Sequence, residues 1–86
     1  MERHRLRSQG LIWREVEEEI IILDMEASLY ASVNAAGRML WLRLAEGASL
    51  DELASALEGE FGLERTRARA DAAAFLGALK SQGLLA

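Results

Sequence analysis

Two spacings divide the chain: apolar residues tend to alternate with polar ones between residues 11 and 33, and return every three or four positions after residue 34. "LIWREV" (11–16) alternates and carries Ile12, Trp13 and Val16, all good strand formers. "EVEEE" interrupts the pattern with charges and predicts a turn, although it holds no glycine. "IIIL" (20–23) is β-branched and apolar at successive positions, so both of its faces should be covered or partnered. "LYASV" (29–33) places Leu29, Ala31 and Val33 on one face and Tyr30 and Ser32 on the other. Connections of only a few residues predict an antiparallel meander with the isoleucine strand in the centre and the first and third strands as edges.

The remainder predicts three helices. Asn34 can cap a first helix whose apolar positions are Ala36, Met39, Leu40 and Leu44, ending at Gly47. Ser49-Leu-Asp-Glu52 has the spacing of a capping box. The second helix should bury Leu50, Leu53, Ala54, Leu57 and Phe61 and stop at Gly62. A third, from about residue 64 to 82, has Ala68, Ala72, Phe75, Leu76 and Leu79 on one face, with Gly83 after it and Leu84 placed to fold back. The expected class is α+β: a three-stranded antiparallel sheet followed by three helices, close to a winged-helix arrangement.

With 86 residues there is room for one domain. We expect it to span 11–86, preceded by a flexible basic N-terminus, 1–10. That terminus has no apolar segment behind it and so is not expected to be a signal peptide. No apolar run approaches the roughly 20 residues of a membrane span. The absence of cysteine excludes disulfides and thiolate metal sites and fits a reducing, cytoplasmic setting. The net charge of −4 disfavours nucleic acid as a partner. Arginines do cluster, at Arg3, Arg5 and Arg7 and at Arg65, Arg67 and Arg69, but a frayed basic tail and a solvated helix face account for them.

Candidate chemistry is nearly absent. His4 is the single histidine and has no second ligand of its type. Glu17, Glu18 and Glu19 fall at a predicted turn, where carboxylates are hydrated rather than paired for acid–base work. The chain lacks a phosphate-binding glycine loop and an HExxH motif, and no hydroxyl stands next to a candidate base. An enzyme is not expected, nor a cofactor or metal. Of the aromatic residues, Trp13, Tyr30 and Trp41 are the candidates for partial exposure, although filling the core around a small sheet is the expected role; Tyr30 is the exception, because it faces away from Leu29, Ala31 and Val33.

The third strand is the feature that asks for a function. An edge strand exposes unpaired N–H and C=O groups, normally blunted by lysine, proline or a bulge. Leu29 to Val33 has no such protection and no charge. An extended peptide could add itself there as a further strand, or a second copy of the chain could cover the edge. On the third helix, Arg67, Asp71, Ala74 and Ala78 share one stripe. The two alanines leave room for a partner's side chains, and Arg67 and Asp71 supply charge at one end.

The order "IIILD…SLYASVNAAGRMLW…LAEGASLDELASALEGEFG…DAAAFLGALKSQGLL" resembles the PqqD-like fold, also called the RiPP recognition element, which binds leader peptides of ribosomally made and post-translationally modified peptides. The similarity rests on Asp24 closing the second strand, "Y-x-S-V-N" entering the first helix, "G-x-S-x-x-E-L-A-x-x-L" and "D-x-x-x-F-L-x-x-L-x-x-x-G-L", and spans residues 11–85. It implies a leader peptide docked as an added strand between the third strand and the third helix. By position, Leu29, Tyr30, Ala31, Ser32 and Val33 would supply backbone pairing and flanking pockets, and Arg67, Asp71, Ala74 and Ala78 the helical wall. It further implies a non-catalytic adaptor that delivers a precursor peptide to a leader peptidase or other modifying enzyme, most similar to the free-standing leader-binding proteins of lasso-peptide biosynthesis. The alternatives are the precursor-peptide chaperone of pyrroloquinoline quinone synthesis, another RiPP pathway and, in a different class, a winged-helix DNA-binding domain. Val33, where "L-N" is often found, and the lack of glycine between Asp24 and Ser28 depart from the family pattern.

Overall fold

The computed structural model describes residues 2–86. A short strand β1 (Arg3–His4) precedes β2 (Leu11–Val16), β3 (Glu19–Asp24) and β4 (Leu29–Val33). Then come α1 (Ala35–Glu46), a short β5 (Ala48–Ser49), α2 (Leu50–Phe61) and α3 (Arg65–Ser81). The main sheet is antiparallel in the order β2-β3-β4, and β1 pairs with β5 in a second, two-stranded sheet. This is the expected α+β class.

Register decides which sheet face meets the helices. Glu15, Ile20 and Val33 align across the three strands, as do Trp13, Ile22 and Ala31, and Leu11, Asp24 and Leu29. These rows face inward, and Ile20 and Ile22 are fully buried among the helices. The opposite face carries Ile12, Leu23 and Tyr30 in one row and Arg14, Ile21 and Ser32 in the next. It has no cover: Ile12, Leu23 and Tyr30 are all exposed. The isoleucine strand, expected to be covered or partnered on both faces, is covered by the described residues on one.

The helices start and stop where the sequence places their caps. Asn34 Oδ1 accepts from the Gly37 N–H at 3.0 Å, and Ser49 and Glu52 make both bonds of a capping box. Gly62, with φ 65°, ends α2 in the left-handed conformation. After α3, Gly83 (φ 73°) lets the Leu84 N–H reach back to the Leu79 carbonyl at 2.9 Å, which buries Leu84.

The aromatic residues divide between core and rim. Trp41 fills the core and is completely buried, because α1 buries Gly37, Leu40, Trp41 and Leu44. Glycine at the first of these positions hides the stripe from a count of apolar residues. Trp41 meets Trp13 edge to face, with ring centroids 6.0 Å apart. Phe61, expected in the core, is 47% exposed, because α2 ends there and its ring lies at the rim of a groove rather than between helices.

The N-terminal segment is docked where a flexible tail was expected; Met1 lies outside the described residues. Arg3 and His4 pair with Ser49 and Ala48, and Leu6 forms a bridge with Leu85. The Arg7 N–H donates to the Leu84 carbonyl and the Ala86 N–H to the Arg5 carbonyl, both at 2.8 Å. Leu6 packs against the core and Arg7 reaches a buried carboxylate, so both an apolar and a charged side chain gain from docking.

Candidate functional site

Among the described residues, β4 has a hydrogen-bonded neighbour on one side only, β3. Antiparallel ladders alternate between residues that face the neighbour and residues that face away. The phase follows from the two-residue turn joining Val16 to Glu19 and from the Met25 N–H, which donates to the Gly10 carbonyl at 2.8 Å. Glu19, Ile21 and Leu23 therefore turn their backbone groups to β2, and Ile20, Ile22 and Asp24 turn theirs to β4. Their partners Val33, Ala31 and Leu29 are occupied in turn. The backbone groups of Tyr30 and Ser32 point out from the free edge, two N–H and two C=O, in the spacing that an added strand needs.

Beside that edge lies a groove of about 530 Å³. Ser32, Val33 and Asn34 form one side, Ala36, Gly37 and Leu40 of α1 the floor, and Asp71 and Phe75 of α3 the far wall. Leu57, Phe61 and Leu63 close it from α2 and the turn after it. A Cβ on Gly37 would stand 3.0 Å from Val33 Cβ and 3.2 Å from the Phe75 ring, so α1, β4 and α3 converge on a position where only glycine sits without pushing a neighbour.

The expected site residues separate into two groups. Leu29 to Val33 stand together on the edge: Ala31 and Val33 turn half-buried side chains inward, Tyr30 and Ser32 are exposed outward, and Leu29 projects beyond the core. On α3, Asp71 lines the groove and is bound to Arg67 Nε at 3.4 Å. Arg67, Ala74 and Ala78 are exposed on the same stripe but do not line the cavity. Phe61, Leu63 and Phe75 do, and sequence reasoning missed that role; aromatic residues at helix ends and on apolar faces carry the same signal as core.

Charge around the site is mostly neutralised. Arg65 pairs with Glu58 at 3.0 Å and Asp51 at 3.6 Å, and Arg69 also binds Asp51. At the other end of β4, buried Asp24 receives Arg7 Nη2 at 2.6 Å and Nη1 at 3.3 Å, and its Oδ1 also accepts the N–H groups of Glu26 and Ala27. The guanidinium first, and the Ala27 N–H next, hold the Asp24 carboxyl below the usual carboxylate range. Among the described residues no group of His, Cys, Asp and Glu could hold a metal ion.

Residues 19–85 match the family model of coenzyme PQQ synthesis protein D (PqqD). No curated protein matches the chain. Two solved structures resemble it closely. One, "TbiB1 in Complex with the TbiA(beta) Leader Peptide", is 26% identical with a TM-score of 0.87, covering 94% of this chain and 93% of that one. The other, "Lasso peptide synthetase B1 complexed with the leader peptide", is 29% identical with a TM-score of 0.85 and covers 96% of each. Strand order, the three helices and the family match over most of the length agree: the chain belongs to the PqqD family, as a PqqD-like RiPP recognition element.

Proposed function

We propose that this chain is a non-catalytic adaptor of lasso-peptide biosynthesis. It binds the leader region of a ribosomally made precursor as an added strand on β4 and delivers it to a leader peptidase or other modifying enzyme. One observation carries the reading: an uncharged edge, with the backbone of Tyr30 and Ser32 free, borders an apolar groove in a chain similar to two proteins solved with leader peptides bound. Backbone pairing supplies sequence-independent affinity, and the groove admits the side chains that give selectivity. Holding the precursor beside the enzyme raises its local concentration with no chemistry by the adaptor.

The uncovered sheet face suits the receiving enzyme. Its row of Ile12, Leu23 and Tyr30 ends on the binding strand itself, so a protein seated there would lie beside the bound peptide. We place the adaptor in the cytoplasm, where precursors are translated; no described helix is long and apolar enough to cross a membrane.

Fluorescence anisotropy with a labelled synthetic leader, from the precursor gene nearest this one, tests the reading. Saturable binding at micromolar affinity or tighter, held at moderate salt, is expected. A folded protein that does not bind, or that forms a dimer through β4 in light scattering and excludes the peptide, would overturn it. DNA binding is disfavoured because Arg65, Arg67 and Arg69 of α3 all have carboxylate partners.

A further inference from the structure

β4 and α3 run in opposite directions along the groove. Phe75 of α3 stands by Gly37 and Val33, whereas the α3 C-terminus at Gly83 comes level with Asp24, the cross-strand partner of Leu29. The two walls are therefore tied at both ends, by packing at Val33 and by one side chain, Arg7, at Leu29. Arg7 Nη2 and Nη1 donate to the two Asp24 oxygens, Nη1 also to the Gly83 carbonyl at 2.8 Å, and Nε to the Gln9 carbonyl at 2.9 Å. Asp24 in turn holds the N–H groups of Glu26 and Ala27, each at 3.1 Å, and so shapes the turn that leads into β4. The same turn rests on residue 10: Met25 bonds the Gly10 carbonyl, and a Cβ on Gly10 would stand 2.6 Å from Glu26 Cγ.

We propose that Arg7 is a positioning residue for peptide binding: by clamping Asp24 to the Gly83 carbonyl, it fixes the Leu29 end of β4 against the α3 C-terminus and forms the docking edge before the peptide arrives. This rests on the adaptor reading. An edge already ordered spares the complex the entropy of ordering it, so loss of the clamp raises the dissociation rate without removing a peptide contact. A lysine would supply charge but not the fork that reaches a carboxylate and a carbonyl together.

The test compares the parent with Arg7→Gln, Arg7→Lys and Ser49→Ala, each shown folded and held below its melting temperature, using the labelled leader peptide. Ser49→Ala removes the α2 cap, away from the groove, and reports what general destabilisation does. Arg7→Gln is expected to bind about tenfold more weakly, mostly through a faster off-rate, with Arg7→Lys between it and the parent. Ser49→Ala should bind like the parent. Without peptide, the Glu26 and Ala27 amides of Arg7→Gln should exchange faster with solvent than the parent's. Parent-like binding by Arg7→Gln, or equal weakening by Ser49→Ala, would overturn the proposal. If Arg7→Gln does not fold, parent-like binding by Arg7→Lys overturns it instead. A silent parent would sink the adaptor reading and this proposal with it, an outcome distinct from a silent variant.

Discussion

At Glu17 the backbone takes φ 60° at the first position of the β2–β3 turn, where glycine avoids a Cβ clash of roughly 1 kcal/mol. Glu17→Gly should raise the urea midpoint by a shift corresponding to about 1 kcal/mol, and an unchanged midpoint would mean the turn is not strained. Asp24 makes a pH-dependent contribution of definite sign. Its carboxyl titrates lower in the fold than in the unfolded chain, so its stabilisation is present above an unfolded value of about 3.9 and is lost as pH falls through the folded one. Urea midpoints should drop below about pH 4, and Asp24→Asn should start lower and lose less on acidification. Flattening should be partial, because the Glu52 carboxyl is lowered as well, chiefly by the Ser49 N–H. The sequence marked Asp24 by its place at the strand end; its partner Arg7 lies 17 residues away and leaves no local trace.

Secondary structure was largely legible because each element carries its own period and cap, from the alternation of β4 to the capping box of α2. Which face a helix turns inward was less so: Gly37, which is not among the apolar positions Ala36, Met39, Leu40 and Leu44 that the spacing picks out, is the contact on which α1, β4 and α3 converge. Gly37→Ala should leave stability nearly unchanged, since a helix-propensity gain of about 1 kcal/mol opposes the push on Val33 and the Phe75 ring. Leader affinity should fall by about tenfold as that ring moves into the groove, and calorimetric titration with a thermal melt separates the two effects. The strand offers a sharper comparison. Ser32→Pro removes an outward N–H, which an edge strand tolerates, so the fold should survive while peptide affinity drops about tenfold. Val33→Pro removes an N–H directed at β3 and should cost roughly 1–3 kcal/mol of stability in a urea melt. Equal effects of the two prolines would show that the ladder phase is wrong.

For the whole molecule, the order of motifs along residues 11–85 was enough to indicate fold and family, and the free edge was legible from the absence of any protecting residue in β4. The groove was not. Its lining comes from β4, Asn34, all three helices and Leu63, and the helical stripe chosen from spacing contributes Asp71 alone to the cavity. The docked N-terminus was equally hidden, since β1 meets β5 across 44 residues or more and has no periodicity of its own. That docking has a topological consequence. With Leu6 against Leu85 and Arg5 bonded to Ala86, the N-terminal segment and residues 85–86 lie side by side. A short linker joining them would let the chain be opened between Glu17 and Glu18, giving a permuted protein in which the segments carrying Arg7 and Gly83, 76 residues apart in this chain, follow closely in sequence as they already do in space.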